Sequence, residues 1–201
     1  MAKIIIFGGF LGSGKTTVLK AFLQYLSDRP NGQKINAAVI ENEIGEYSVD
    51  DNVIKQQGVK VKTLYSGCIC CTLQTSLIDG ISEITEKYDP EYIIIETTGM
   101  AVPKKIRENL LQYLQKEVTI CTITDAARWE KLTRSFAKEF IESQLTDADF
   151  IWINKTDTVD REKTEHIANE VKQFSNNAVI RAISAKNGIN KALFQQLIQG
   201  E

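Results

Sequence analysis

Short β-branched runs alternate with longer amphipathic stretches from one end of the chain to the other. Runs such as Ile4-Ile5-Ile6-Phe7 are apolar on consecutive positions, which suits parallel strands buried on both faces. The pattern predicts strands over Lys3 to Gly8, Ala37 to Glu41, Val59 to Leu64, Tyr92 to Glu96, Val118 to Thr124, Phe150 to Asn154 and Val179 to Ser184. It predicts helices over Lys15 to Ser27, Ser76 to Tyr88, Lys104 to Lys116, Glu130 to Leu145, Arg161 to Ser175 and Ile189 to Gln199. Leu132, Phe136, Phe140 and Ile141 share a face of the fourth helix, and Ile167, Val171 and Phe174 a face of the fifth. Both stripes mark core packing. Asp89-Pro90 and Arg29-Pro30-Asn31-Gly32 punctuate returns from helix to strand, because proline disfavours helix in the residue before it and glycine accepts turn angles. No linker, repeat or low-complexity tract interrupts the alternation. The expected class is α/β, a three-layer fold with helices on both faces of a mostly parallel central sheet.

Composition narrows the function classes. A length of 201 residues suits one domain, and 43% apolar residues with only 3 Pro describe a packed chain rather than a disordered one. The 24 basic residues balance 26 acidic ones without a basic block, which argues against a nucleic-acid or anionic-membrane footprint. Met1-Ala2-Lys3 leads into the first strand without a cleavable signal pattern, and no apolar run approaches the roughly 18 residues of a membrane span. A cytoplasmic location is expected. Of 4 Cys, Cys68, Cys70 and Cys71 crowd into one short segment. Adjacent Cys70 and Cys71 have Cα atoms about 3.8 Å apart, below the roughly 4.4 to 6.8 Å of ordinary disulfides, so reduced thiols are expected.

The strongest chemical signal opens the chain. The first strand runs into Gly9-Phe10-Leu11-Gly12-Ser13-Gly14-Lys15-Thr16-Thr17 and then a helix, the phosphate-loop spacing of Gly, four residues, then Gly-Lys-Thr. Glycines let successive backbone N–H groups turn inward around phosphates, and the helix sets its positive end against the same charge. Lys15 is expected to reach the β and γ phosphates and the Thr16 hydroxyl to ligate Mg²⁺. The alternative is a glycine-rich turn that happens to precede a helix.

Two further loops follow strands on the same rim. Asn154-Lys155-Thr156-Asp157 follows Phe150 to Ile153, and Ser184-Ala185-Lys186 follows the last strand. The pair resembles the guanine-recognition loops of GTPases. There the aspartate accepts from the ring N–H and exocyclic amine of guanine, with the asparagine and the Ala185 backbone serving the O6 side. Adenine presents the opposite pattern, and a buried carboxylate left unpaired by the wrong base gives discrimination of roughly 10⁴. GTP is therefore expected over ATP. Taken alone, the segment could also be a polar turn with Asp157 or Thr158 as a helix cap.

The strand Tyr92 to Ile95 ends in Glu96-Thr97-Thr98-Gly99. A carboxylate at a strand tip beside a phosphate loop can hold Mg²⁺, usually through water, and Gly99 lets the next segment sense the γ phosphate. Most GTPases carry Asp where Glu96 stands; a helix cap at Thr97 or Thr98 is compatible with that role. Asp125 is another strand-tip carboxylate whose role the sequence leaves open. Gly67-Cys68-Ile69-Cys70-Cys71 offers soft thiolates at the density that binds Zn²⁺ or a similar transition metal. Burial as small apolar residues is the other reading, and the preferred one for isolated Cys121.

Together these segments resemble the CobW-like metallochaperone GTPases, relatives of the UreG and HypB nickel-insertion GTPases. The resemblance rests on Gly9 to Thr17, Glu41-Asn42-Glu43-Ile44-Gly45-Glu46, the Cys-x-Cys-Cys motif, Glu96 to Gly99 and Asn154 to Asp157, in family order. It implies a P-loop GTPase (G) domain, slow GTP hydrolysis involving Lys15, Thr16 and Glu96, and a transition metal (Zn²⁺, Co²⁺ or Ni²⁺) at Cys68, Cys70, Cys71, Glu41 and Glu46. It further implies Glu41 to Asp51 as the first switch, a client metalloprotein as partner, and a possible homodimer. The family's smaller C-terminal domain has no room in 201 residues, so client recognition is expected from a partner chain, a dimer interface or a longer protein. The family's His-rich stretch is also missing: His166 is the one histidine and is expected at the surface. Val102 stands where an acidic residue is common. Two competing roles are a nucleotide-dependent switch assisting a metal- or corrinoid-containing enzyme, and an ATP-dependent small-molecule kinase, which leaves Asn154 to Asp157 unexplained.

Overall fold

The computed structural model describes residues 2–28, 36–41, 60–63, 72–135 and 137–200, with the backbone alone at 41, 60–63 and 72–76. Among these, seven parallel strands form one sheet: β1 (Lys3–Gly8), β2 (Ala37–Glu41), β3 (Lys60–Thr63), β4 (Tyr92–Glu96), β5 (Val118–Asp125), β6 (Phe150–Asn154) and β7 (Val179–Ala182). Their spatial order is β3-β2-β4-β1-β5-β6-β7, so the N-terminal strand lies at the centre. Parallel neighbours need crossovers, supplied by α1 (Lys15–Ser27), α2 (Thr72–Tyr88), α3 (Pro103–Leu114), α4 (Trp129–Thr133), α5 (Lys138–Leu145), α6 (Arg161–Val171) and α7 (Lys191–Gln199).

The period of two along β1 divides the core. Ile5 and Phe7 face a cluster containing Phe22, Leu23, Trp152 and Phe194, whereas Ile4 and Ile6 face Ile81, Leu110, Trp129, Ile141 and Ile167. Phe194 of α7 bridges Phe22 of α1 and Trp152 of β6, with ring centroids 5.4 and 5.7 Å away. Each such aromatic or aliphatic side chain contributes about 1.5–3 kcal/mol by leaving water. Burial on both faces explains why β1, β4 and β6 are apolar without alternation.

Register sets the functional rim. Phe7 is paired with Glu96, Gly8 with Thr122, Glu41 with Glu96, and Asp125 with Asn154, so the carboxyl ends of β1, β2, β4, β5 and β6 finish side by side.

The structure departs from the sequence pattern at five helices and at the ends of β5 and β7: α7 starts at Lys191 rather than Ile189, and β5 runs on to Asp125. The expected helix from Glu130 to Leu145 is broken into α4 and α5. At the break the Ser135 hydroxyl donates to the Leu132 carbonyl (2.8 Å) and accepts from the Ala137 N–H (3.1 Å), competing with helical pairing. Helix α2 starts at Thr72, four residues before expectation, and α3 stops at Leu114 because Gln115 takes a left-handed conformation (φ 50°). Helix α6 ends at Val171, and the Ser175 hydroxyl instead donates to the Ala148 carbonyl (2.8 Å). Strand β7 ends at Ala182, and Ser184 turns back to bridge Gly188. Among the described residues no helix is long and apolar enough to cross a membrane.

Candidate nucleotide-binding site

The loop from β1 to α1 curls as the glycine spacing requires. Gly9, Gly12 and Gly14 take φ values of 132°, 73° and 99°, a region that side chains other than glycine rarely enter. At Gly14 space forbids a side chain as well, since a Cβ would lie 2.3 Å from Asn154 Nδ2. Lys15 opens α1 and is buried, with Nζ donating to the carbonyls of Gly9 (3.0 Å) and Phe10 (3.4 Å). The Ser13 hydroxyl is fully buried, without a hydrogen-bond partner among the described residues. Beside this curl lies a cavity of about 530 Å³ lined by Gly12, Gly14, Lys15, Thr16, Thr17 and Glu96, with Thr97 to Met100 and Lys155 around them. A glycine cradle, a buried ammonium and a helix N-terminus fit a polyphosphate.

At the cavity's edge Thr16 Oγ1 donates to Glu96 Oε1 at 2.6 Å, joining the first turn of α1 to the tip of β4. A hydroxyl and a carboxylate are hard oxygen donors and fit Mg²⁺. Glu96 is buried, and the next residue is fixed by Thr97 N–H and Oγ1 donating to the Phe7 carbonyl (3.1 and 3.2 Å). Gly99 packs directly on the phosphate loop, where a Cβ would approach the Leu11 backbone nitrogen to 2.6 Å. Buried Gln144 of α5 holds the same segment, its Nε2 donating to the carbonyls of Gly99 (3.1 Å) and Ala101 (2.9 Å).

The residues expected to read the base gather on the neighbouring tips of β6 and β7. Asn154 is buried; Nδ2 donates to the Ser13 carbonyl (2.9 Å), and Oδ1 accepts from the Ala185 N–H (2.9 Å). Both ends of the Asn154 amide tie the phosphate loop to the loop after β7. Lys155, in a left-handed conformation (φ 64°), donates from Nζ to the Gly12 carbonyl (2.7 Å). Asp157 is exposed rather than buried, and its Oδ1 accepts from Ser184 Oγ at 2.6 Å. That hydrogen bond, aided by the Lys186 charge, holds the carboxyl below its ordinary range, so it stays an acceptor at neutral pH.

Sequence reasoning assigned no role to three side chains that the structure brings to the site. The Asp125 carboxylate is 1% exposed; Oδ2 accepts from Arg128 Nε (2.7 Å) and Lys155 Nζ (2.7 Å), and Oδ1 from the Ala127 N–H (3.0 Å). Burial pushes its carboxyl up, but the hydrogen bonds and charges of Lys155 and Arg128 outweigh burial and leave it below the ordinary value. Arg128 also reaches the Leu11 carbonyl from Nη2 (2.6 Å). The Asp-x-x-Arg spacing after a strand is the one signal that could have found this pair. Nothing local marks Gln144.

The expected transition-metal ligands Cys68, Cys70, Cys71 and Glu46 lie outside the described residues, as does nearly all of the expected first switch. Glu41 ends β2 in register with Glu96, which sets its backbone beside the cavity. Among the described residues no group of three or more His, Cys, Asp or Glu is placed to hold a metal. Cys121 is buried in β5, and desolvation pushes its thiol well up, in accord with an apolar role. His166 is exposed, with Nε2 3.6 Å from Glu170 Oε2.

A phosphate loop leaving the central strand of a parallel sheet, with a strand-tip carboxylate on the threonine that follows the lysine, defines a P-loop nucleotide-binding fold. The model of the CobW/HypB/UreG nucleotide-binding domain matches residues 3–181, and the chain belongs to that family. Zinc chaperone YjiA of Escherichia coli is 34% identical over 81% of this chain and 52% of its own length. Zinc-regulated GTPase metalloprotein activator 1 of Dictyostelium discoideum is 26% identical over 92% of this chain and 46% of its own. The chain thus spans about half the length of these curated relatives. Among solved structures, hydrogenase maturation factor HypB from Archaeoglobus fulgidus superposes with a TM-score of 0.69 at 16% identity, covering 99% of this chain and 89% of that one. The Zn(II)-bound YjiA GTPase from E. coli superposes with 0.67 at 24% identity, over 96% and 60%. Both share the fold.

Proposed function

We propose that this chain binds and hydrolyses GTP and couples its nucleotide state to the handling of a transition metal, zinc first among the candidates, for a client metalloprotein. The observation that carries the nucleotide half is the convergence on one rim of Lys15, the Thr16–Glu96 pair and the Asp157–Ser184 pair. Membership of the CobW/HypB/UreG family and the names of the zinc chaperone relatives support the metal half.

In this reading Lys15 leaves the Gly9 and Phe10 carbonyls for the β and γ phosphates, and Asp157, oriented by Ser184, accepts from the ring N–H and amine of guanine. Thr16 and Glu96 would hold Mg²⁺, which would supply charge neutralisation for phosphoryl transfer. Glu96 leads directly into Thr97 to Ala101, so a change at the γ phosphate reaches the segment packed on Leu11 and Gln144. The transition metal is cargo, taken up by Cys68, Cys70 and Cys71 with Glu41 and Glu46. No described side chain stands out as a base for the attacking water. Slow intrinsic hydrolysis follows, quickened by a dimer or client.

The name of the Dictyostelium relative supports a second reading, a nucleotide-dependent switch that activates a metal enzyme without delivering the metal. Metal that transfers to a client after purification under reducing conditions favours delivery; absent or tightly held metal favours the switch. The test of coupling is reciprocal titration: Zn²⁺ must change GTP affinity by the same factor by which GTP changes Zn²⁺ affinity. Equal GTP affinity with and without Zn²⁺, unaltered by Cys70→Ala, refutes the coupling.

A further inference from the structure

Three successive carbonyls of the phosphate loop are each held by a different side chain. Arg128 takes Leu11 (2.6 Å), Lys155 takes Gly12 (2.7 Å) and Asn154 takes Ser13 (2.9 Å). Across a planar trans peptide the C=O and the next N–H point in opposite directions. Each hold therefore turns the next N–H, of Gly12, Ser13 and Gly14 in turn, away from the side chain that takes the carbonyl. The Ser13 N–H closes a turn onto the Phe10 carbonyl (3.1 Å), whereas Gly12 and Gly14 line the cavity with Lys15 and Thr16. The donors left for phosphate are those of Gly12 and Gly14.

Asn154 and Lys155 belong to the base loop, but Arg128 comes from the start of α4. It is oriented by Asp125, whose Oδ2 it shares with Lys155 at 2.7 Å each. One buried carboxylate between two cations leaves a net positive charge at the loop, suited to a polyphosphate. We infer that Arg128 is a positioning residue of the phosphate cradle: it holds the Leu11 carbonyl so that the Gly12 N–H faces the phosphates, and Asp125 locks it to Lys155 of the base loop. This role rests on the nucleotide-binding reading above.

The experiment compares wild type, Arg128→Ala, Arg128→Lys and Asp125→Asn in the full chain, by calorimetric titration with Mg²⁺-GTP and Mg²⁺-GDP and by steady-state GTP hydrolysis, with unfolding midpoints measured in parallel. Arg128 is 38% exposed, so its alanine variant is expected to keep the fold. Loss of a charge-assisted contact that aims a phosphate donor should weaken GTP and GDP about tenfold and lower kcat at saturating GTP. Arg128→Lys should recover less than half of that loss, because an ammonium lacks the planar fork that spans Asp125 and Leu11. Asp125→Asn should lose at least as much, since Lys155 is released too. A merely structural role would lower the midpoint of Arg128→Ala and leave kcat at saturation unchanged, which overturns the inference, as do affinity and kcat within twofold of wild type. Failure of the wild type to bind GTP removes the nucleotide reading itself; binding by the wild type with an indifferent Arg128→Ala removes this inference alone.

Discussion

Asn154 carries a prediction whose size follows from its surroundings. It is 3% exposed, and its amide joins the Ser13 carbonyl to the Ala185 N–H, 2.9 Å on each side. Asn154→Ala strands both groups. A dry orphan costs about 1–3 kcal/mol, and half-buried Ala185 recovers part of its share from water, so the sum is about 2–4 kcal/mol. For a chain of this size each kcal/mol moves the midpoint by roughly 2–4 °C, giving a fall of roughly 4–16 °C. Asn154→Asp is the sharper variant. It keeps an acceptor for Ala185 but sets carboxylate oxygen against the Ser13 carbonyl, so at pH 7 it should be at least as destabilised as the alanine variant. Burial and that facing oxygen raise the new carboxyl's pKa, and protonation restores a donor. Its deficit against wild type should therefore shrink as pH falls from 7 toward 5. Thermal and urea unfolding across that range measure it. An Asp variant as stable as wild type at pH 7, or a deficit that grows on acidification, would refute Asn154 as the tie between the loops.

Three other outcomes are expected. Asp157→Asn exchanges an acceptor pair for a mixed amide; it should cost GTP at least a hundredfold in affinity and favour XTP, whose position 2 carries a carbonyl, and parallel titrations check this. Asp125 sits below its ordinary value of 3.8, so its contacts are fully present above that pH and are lost as pH falls through the lower native value. Urea unfolding should show a constant penalty for Asp125→Asn from pH 8 to 5 that shrinks only below about pH 4. Gly99→Ala must displace the Leu11 backbone, which its Cβ would meet at 2.6 Å. GTP and GDP affinity should fall together and GTP turnover with them, because the displaced Leu11 backbone carries the Gly12 N–H off its aim; parallel titrations and steady-state hydrolysis check this.

The sheet was readable in the sequence because its strands are buried on both faces, a condition that writes itself as continuous Ile and Val. Strands β1, β2, β4 and β6 begin and end where the pattern ends them. The break between α4 and α5 escaped because the stripe of Leu132, Phe140 and Ile141 continues across it, while the Ser135 hydroxyl decides the backbone. Local motifs singled out Lys15, Thr16, Glu96 and Asp157 because each sits at a fixed offset from a strand end. Arg128 and Gln144 act across distant elements, reaching Leu11 and Gly99, and no local spacing records such contacts. The role of Asp125 becomes visible only once β5 lies beside β6, which brings Lys155 to it. Asn154 was singled out by its motif, but its hydrogen bonds to the Ser13 carbonyl and from the Ala185 N–H, which fasten the two loops, depend on the register of β6 and could not be read locally.

The most direct measurement is parallel calorimetric titration of GTP and ATP, each with Mg²⁺, against the wild-type chain and Asp157→Ala. GTP is expected to bind at least a hundredfold more tightly than ATP, with the difference collapsing in the variant because the exposed carboxylate held by Ser184 makes the distinction. Equal binding of the two nucleotides, or a preference that survives loss of Asp157, would contradict the account.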